Sequence, residues 1–207
     1  MNSELLKILK PTYAPCIGFS GICKEMVWNP RGGNIPRGYY GALGELKEVE
    51  LVLVFAEPGN PYPDENYSNI ESVFNYVGRM FRESTDPFHE NIRTILSSCW
   101  PDLSIEDQFR KVWMTNSVLC SAKTETGRIP ASITRFCGNR YLSAQLKLFP
   151  KALVVAMGKK ARERLESIGS TNYIEVSSPA RPEGKKPKAK ESWKRIPEEL
   201  HRRAQNI

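Results

Sequence analysis

Short apolar runs alternate with longer amphipathic stretches from residue 48 onward. Continuous apolar runs of four to eight residues are typical of strands that are buried on both faces. Four runs have this character: residues 49–55, 112–119, 152–157 and 173–176. Helices are predicted where apolar residues recur about every 3.6 positions, or where charges and capping residues mark a helix. These stretches are residues 2–10, 68–83, 89–98, 132–148, 158–168 and 191–205. This alternation predicts a three-layer α/β/α sandwich with a central four-stranded, mainly parallel sheet.

Two segments lack this regular pattern. Residues 11–47 combine two cysteines with many glycines, prolines and aromatic residues, so we expect an irregular segment held by a metal or by docking onto the domain. In the basic segment 182–190, Pro182, Gly184 and Pro187 predict a loop. No linker divides the chain, and we therefore expect a single domain over residues 1–207.

Composition narrows the possible partners and the compartment. Thirty Lys and Arg against 23 Asp and Glu give a net charge of +7, which favours a polyanionic partner such as nucleic acid, although it can also serve solubility alone. The apolar runs are too short to span a bilayer, and the N-terminus lacks a signal-peptide core. We therefore expect a cytoplasmic protein without membrane contact.

Three polar motifs follow three of the predicted strands. The first comprises residues 55–59 (Phe-Ala-Glu-Pro-Gly), the second residues 115–120 (Thr-Asn-Ser-Val-Leu-Cys) and the third residues 177–181 (Ser-Ser-Pro-Ala-Arg). Functional groups of parallel α/β folds gather at the carboxyl ends of the strands. The three motifs are therefore expected to converge on one slot that is large enough for a pyrimidine.

This ordered set resembles the uracil-DNA glycosylase superfamily, most closely its iron–sulfur-containing families. Those families carry a GEAPG-type first motif, a TNVVKC-like strand and a final HPS or HPAR motif, and their P-x-V-V-A-L-G-x-x-A segment corresponds to residues 150–161 here. The resemblance covers roughly residues 49–181. It implies a monomeric DNA-repair enzyme that flips uracil or a related deaminated base out of DNA and hydrolyses its N-glycosidic bond.

The resemblance assigns the catalytic carboxylate to the first motif. Glu57 corresponds to the aspartate of the GQDPYH motif in the classical enzymes, whereas the acid of GEAPG corresponds to Ala56. A carboxylate here would stabilise positive charge on the sugar and position the attacking water. The alternative interpretation is a carboxylate that caps a helix or orders a loop.

Base recognition is assigned to the second motif and to a nearby aromatic residue. Asn116 offers a donor and an acceptor in one plane, which match the edge of uracil, but it can also satisfy backbone groups at the strand end. Tyr67 is preferred as the stacking residue over Phe74 and Tyr62, and each of these can instead be an ordinary core or surface aromatic.

The third motif departs from the family pattern. Ser178 stands where the families usually have a histidine that donates to the base, and a serine cannot carry the charge of a protonated ring. Pro179 and Arg181 are expected to face the DNA backbone, together with Lys185 and Lys186. These cations can also be an ordinary solvated surface.

Four of the five cysteines are candidate cluster ligands. Cys120 and Cys137 match the later pair of ligands in the resembling families, and Cys16 and Cys23 replace their earlier C-x-x-C pair with a wider spacing. The resemblance implies a 4Fe–4S cluster at these four residues, whereas Cys99 matches no ligand position. Zinc, or four buried thiols without metal, are the alternatives.

Two other functions compete with base excision. The altered first and last motifs also suit a non-catalytic nucleic-acid-binding member of the same fold. An α/β enzyme with a nucleotide cofactor is less attractive, because no G-x-G-x-x-G or G-x-x-x-x-G-K-[ST] loop follows the first predicted strand. No nucleotide cofactor is therefore expected.

Overall fold

A mainly parallel sheet forms the centre of the protein, seen in a computed structural model that describes residues 1–125 and 127–205. Its strands are β1 (Tyr40–Gly41), β2 (Leu51–Phe55), β3 (Val112–Asn116), β4 (Leu153–Met157) and β5 (Ile174–Val176). Their spatial order is β1-β3-β2-β4-β5, with β1 antiparallel to β3 and the other neighbours parallel. The predicted α/β class is confirmed, and the strand count is corrected from four to five.

The additional strand, β1, lies at the edge of the sheet within the irregular segment. Tyr40 pairs with Met114 and Gly41 with Trp113. Gly41 has a φ of +111°, and a Cβ there would lie 2.1 Å from the carbonyl oxygen of Val112, so a larger residue would not fit. Two residues are too few to show an alternating pattern, which is why the sequence does not predict this strand.

Nine α-helices surround the sheet in the described part of the chain. They are α1 (Ser3–Leu9), α2 (Ile70–Glu83), α3 (Pro87–Cys99), α4 (Ile105–Lys111), α5 (Ala131–Cys137), α6 (Ser143–Lys147), α7 (Lys159–Ser167), α8 (Pro187–Trp193) and α9 (Arg195–Ala204). A π-helical turn over Gly138–Leu142 joins α5 to α6, in place of the single helix predicted over 132–148. Among the described residues, no helix is long and apolar enough to cross a membrane.

Helices cover both faces of the sheet, since every residue of β2 and β3 is buried. On one face, the ring of Tyr40 packs against Phe74 of α2. On the other face, the indole of Trp113 packs against Phe149, and its Nε1–H donates to Gln145 of α6 at 3.0 Å. This double coverage explains why the central strands are continuous apolar runs.

Both segments without a regular pattern now have a defined structure. Residues 11–47 contain short 3₁₀ turns and β1, and the hydroxyls of Tyr13 and Tyr39 lie 2.6 Å apart within the segment. The loop predicted over 182–190 is wrong from Pro187 onward, because α8 begins there. Proline is favourable at the first position of a helix, where its missing N–H has no partner to lose.

Candidate active site

A cavity of about 340 Å³ lies where the parallel strands end. Its wall includes Glu57, Asn116 and Ser178, one residue from each of the three motifs. Ala56 and Met157 also line it, at the ends of β2 and β4. The volume is within the usual range of small-molecule sites, which begins at about 300 Å³. The three motif loops therefore meet at one place, as the parallel topology requires.

Glu57 is held by two cations from α7. Its Oε1 lies 2.6 Å from Nζ of Lys160, and its Oε2 lies 2.5 Å from Nη2 of Arg164. The contact with Arg164 is an ion pair without the alignment of a hydrogen bond. The side chains of Glu57 and Arg164 are only 7% and 8% exposed. Both carboxylate oxygens are thus ion-paired with α7, which favours a structural role for Glu57.

The amide nitrogen of Asn116 forms hydrogen bonds with the backbone at the wall of the cavity. Its Nδ2–H₂ donates to the carbonyl oxygens of Arg37, at 3.1 Å, and Gly38, at 3.4 Å. Gly38 has a φ of +80°, and a Cβ there would lie 2.1 Å from Nδ2, so only glycine leaves room for this contact. With the nitrogen engaged, Oδ1 is the atom that Asn116 can offer to a ligand.

The third motif lines the cavity through Ser178 and Ala180, and the hydroxyl of Ser178 accepts a hydrogen bond from the backbone N–H of Ala180 at 3.2 Å. Pro179 is buried, so its predicted contact with the DNA backbone is wrong. Arg181, Lys185 and Lys186 are exposed next to this loop. The structure thus places three of the four predicted backbone contacts on the surface beside the cavity.

The predicted aromatic residues have different positions. Tyr67 and Tyr62 line the cavity, but Phe74 does not: it packs on Tyr40 beneath α2, so its prediction as a base contact is wrong. Phe74 also has the 3.6-residue apolar spacing of the helix predicted over 68–83, which is typical of a core residue. Tyr67 is buried and donates its hydroxyl to Glu65, while 45% of Tyr62 is exposed. Burial, and then the hydrogen bond to Glu65, raises the pKa of Tyr67 far above its ordinary value.

A buried arginine that the sequence analysis missed connects the loops around the cavity. Arg37 donates to the carbonyl oxygen of Gly59 at 2.5 Å and to Oγ of Ser121 at 2.9 Å. Its Nε lies 3.3 Å from Oε2 of Glu65, whose other oxygen accepts from the backbone N–H of Tyr62 at 2.9 Å. Burial lowers the pKa of Arg37, and the charge of Glu65 opposes that shift. These partners lie 22 to 84 residues from Arg37, so local sequence patterns do not reveal them.

A histidine that the sequence analysis also missed lines the same cavity. His89 lies in the first turn of α3, and its Nδ1 contacts Oδ2 of Asp86, the N-cap residue of that helix. The Asp86–Pro87 pair is a recognisable helix start, and a histidine two residues later could have been noted as a candidate.

The four candidate ligand cysteines surround a second, much smaller cavity of about 20 Å³. Cys16, Cys23, Cys120 and Cys137 are all buried, free thiols. Burial raises the pKa of Cys23 to about 11 and that of Cys137 to about 12, so these thiols are protonated at neutral pH. Within the part of the chain that the structure describes, no three ligand-type side chains are grouped to hold a single metal ion. The four cysteines therefore line one small cavity but do not form a metal-binding group among the described residues.

Comparison of this sequence with models of known protein families gave no match, and comparison with curated proteins gave none either.

Proposed function

We propose that this protein is a DNA glycosylase that extrudes uracil or a related deaminated base and hydrolyses its N-glycosidic bond. The observation that carries the proposal is the meeting of Glu57, Asn116 and Ser178 at one cavity of about 340 Å³, beside an exposed basic surface. A base must leave the helix stack before an enzyme can act on it, and such a cavity can receive it. A cytoplasmic monomer bound to damaged DNA is the form that we propose.

Asn116 supplies the proposed discrimination of uracil from cytosine and of hypoxanthine from adenine. Its Nδ2 is engaged by two backbone carbonyls, so Oδ1 faces the base as a hydrogen-bond acceptor. Uracil and hypoxanthine carry a ring N–H where cytosine and adenine carry a bare ring nitrogen. An acceptor at this position bonds to the deaminated base and opposes the lone pair of the normal one, and leaving a buried polar group unpaired is costly.

Release of free base tests the proposal directly. Oligonucleotides with a single uracil, hypoxanthine or xanthine should lose that base, and matched strands with cytosine or adenine should not. Asn116→Ala should abolish release, while Asn75→Ala, a change at an exposed position of α2, should leave it unchanged. Intact DNA-binding protein that releases none of the three deaminated bases would contradict the assignment.

We further propose that Cys16, Cys23, Cys120 and Cys137 bind a 4Fe–4S cluster. Their enclosure of one cavity supports this, because the four side chains come from three separate parts of the chain. Such a cluster is held by four thiolates, and when bound it would cross-link the 3₁₀ turn at Ile17–Ser20 to the end of β3 and to α5.

Metal analysis of protein purified without oxygen tests the cluster. We expect about four iron and four sulfide per chain, with broad visible absorbance. Cys120→Ser should remove the iron, and Cys99→Ser, a buried thiol outside this cavity, should retain it. One zinc per chain without sulfide, or no metal at all, would contradict a cluster.

A second candidate function is DNA binding without base excision. It is favoured because side-chain groups of two motif residues already have partners within the protein. Glu57 is occupied by Lys160 and Arg164, and the amide nitrogen of Asn116 is occupied by backbone carbonyls. A cavity whose polar groups are already paired can hold a base without acting on it. This candidate predicts DNA binding with no release of base.

The exposed basic surface beside the cavity is expected to bind phosphate under either function. Lys185→Ala/Lys186→Ala should weaken DNA binding for all sequences and reduce the slope of log affinity against log salt by about 2. Lys151→Ala is the matched control, because Lys151 is exposed just before the amino end of β4, away from the strand ends that form the cavity. An equal effect of both changes would show that only net charge matters.

A further inference from the structure

The wall of the cavity contains a histidine–aspartate pair that none of the three motifs includes. Nδ1 of His89 contacts Oδ2 of Asp86, and both side chains are largely buried, at 14% and 25% exposed. The rings of Phe88 and Phe81 pack edge-on against the imidazole, with centroids 5.1 and 4.9 Å away. The imidazole therefore has one orientation, with one nitrogen already engaged.

Asp86 is fixed in its charged form by the hydrogen bonds around it. Its Oδ1 accepts from the backbone N–H groups of Phe88, at 2.9 Å, and His89, at 3.2 Å, and its Oδ2 accepts from the hydroxyl of Ser84. Burial alone would raise the pKa of Asp86, but the hydrogen bonds from His89 and Ser84 outweigh it and hold that pKa far below its ordinary value. A charged carboxylate can only accept, so Nδ1 of His89 must carry the hydrogen.

The fixed tautomer determines what the other nitrogen can do. In a neutral imidazole with hydrogen on Nδ1, Nε2 has a lone pair and can accept a proton. A carboxylate behind the ring also stabilises the positive charge that develops when Nε2 is protonated. The His89–Asp86 pair therefore has the electronic arrangement of a general base.

A separate contact places this pair beside the third motif. Asn91, two residues after His89 on α3, donates from Nδ2 to the carbonyl oxygens of Pro179, at 2.9 Å, and Gly184, at 3.3 Å. The amino-terminal part of α3 is thus docked on the loop that carries Ser178. The cavity, at about 340 Å³, also has room for a base and for a water, whose share of liquid volume is about 30 Å³.

Resting on the proposed glycosylase function, we propose that His89 is the catalytic base that activates the attacking water, and that Asp86 is its positioning residue. Nε2 of His89 takes a proton from water as the water oxygen bonds to C1′ of the sugar. The bond from C1′ to the base nitrogen breaks, its electron pair leaves with the base, and the base takes a proton from solvent. Glu57, whose two oxygens are ion-paired with Lys160 and Arg164, is assigned no role in holding this water.

Two amide substitutions separate proton transfer from the other roles that His89 could have. Asparagine in place of His89 keeps a donor where Nδ1 lies, and glutamine keeps a polar group where Nε2 lies, but neither can take up a proton. We expect both His89→Asn and His89→Gln to lower the single-turnover rate of base release by about 10²- to 10⁴-fold, the usual contribution of general acid–base catalysis. DNA affinity should stay within about twofold of wild type, because the proposed role lies in the chemical step.

Asp86→Asn tests the positioning role without removing the helix cap. Asparagine is as good an N-cap as aspartate, so α3 should remain intact. Its amide N–H₂ would donate to Nδ1 and move the ring hydrogen to Nε2, which removes the lone pair that accepts the proton. The single-turnover rate should again fall by about 10²-fold or more, with unchanged DNA affinity.

The outcomes distinguish this proposal from the function on which it rests. His201→Gln, at the other histidine of the chain, lies in α9 and should release base at the wild-type rate. Wild-type activity in His89→Asn would mean that the residue only tethers Asp86, and wild-type activity in His89→Gln would mean that it only donates a hydrogen bond. Either result overturns the proposal and leaves the glycosylase assignment standing. A wild-type protein that binds DNA and releases no base contradicts both.

Discussion

Two acidic side chains in the wall of one cavity have opposite surroundings. Glu57 lies between Arg164 and Lys160, so its charge is compensated and both oxygens are used. Asp86 instead contacts Nδ1 of His89, the ring that we propose as the catalytic base. The residue that a sequence motif made prominent is thus paired with two cations, whereas Asp86, which no motif includes, is paired with an imidazole. Proximity to a cavity does not by itself make a carboxylate catalytic, because its partners decide which of its atoms can act.

The largest expected effect is on the free energy of unfolding, when Arg164 is removed from its contact with Glu57. Arg164→Met should lower the free energy of unfolding by about 3 kcal/mol, near the lower end of the range for breaking a buried pair, because Lys160 still faces Glu57. Denaturation by urea measures this change. The double variant Glu57→Gln/Arg164→Met should lose less stability than the single one, since no charge is left buried without its partner. An equal loss in both would show that the pair does not stabilise the loop.

The next largest effect concerns the space that Gly38 leaves for Asn116. Gly38→Ala and Gly169→Ala both place a side chain on a left-handed backbone, at φ of +80° and +75°, which costs about 1–2 kcal/mol. An added Cβ at Gly169 meets nothing within 4 Å, whereas at Gly38 it meets Nδ2 of Asn116. We expect Gly38→Ala to lose more stability and also base release. Equal unfolding curves would mean that the Asn116 contact is not required.

A smaller effect is expected on catalysis when Glu57 is neutralised. Glu57→Gln should lower the single-turnover rate of the folded protein by less than about tenfold, or about 1.4 kcal/mol, because both oxygens are ion-paired with cations of α7. Rates must be measured at a temperature below the unfolding transition of this variant. The variant is expected to be less stable, because it leaves Arg164 without a charged partner. A loss as large as that of His89→Gln would reverse the assignment of the two acids.

The smallest effect is the pH dependence of stability that Asp86 contributes. Its pKa is lowered in the folded protein, so its stabilising contribution is present above the unfolded pKa of about 3.9 and is lost as the pH falls toward the folded pKa. The difference in unfolding free energy between wild type and Asp86→Asn should therefore be constant near neutral pH and shrink below about pH 4. A difference that grows in acid would contradict a lowered pKa.

The sequence predicts the parallel sheet well because its signal is local. The strands β2 to β5 each lie within a predicted apolar run, and the full burial of β2 and β3 requires such runs. Elements without a strong pattern are missed: β1 has two residues, and α4 has only seven. Pro187 was interpreted as a break in structure, although the same residue type also starts helices.

The candidate site is predictable only where topology alone brings residues together. Glu57, Asn116 and Ser178 follow parallel strands, so their loops must meet at one edge of the sheet. Their hydrogen-bond partners are not predictable in this way, because Arg37, Gly38 and Arg164 come from distant parts of the chain. His89 does not follow a strand, and therefore it had no topological reason to be placed at the cavity.

The position of Arg37 has a consequence for how this molecule can change over evolution. Its guanidinium contacts the main chain after β2, the hydroxyl of Ser121 and the carboxylate of Glu65, while its own carbonyl fixes Asn116. The irregular segment is thus part of the enclosure rather than an appendage. An insertion or deletion between residues 30 and 40 would displace three loops at once, so the length of this stretch should tolerate far less variation than that of an ordinary surface connection.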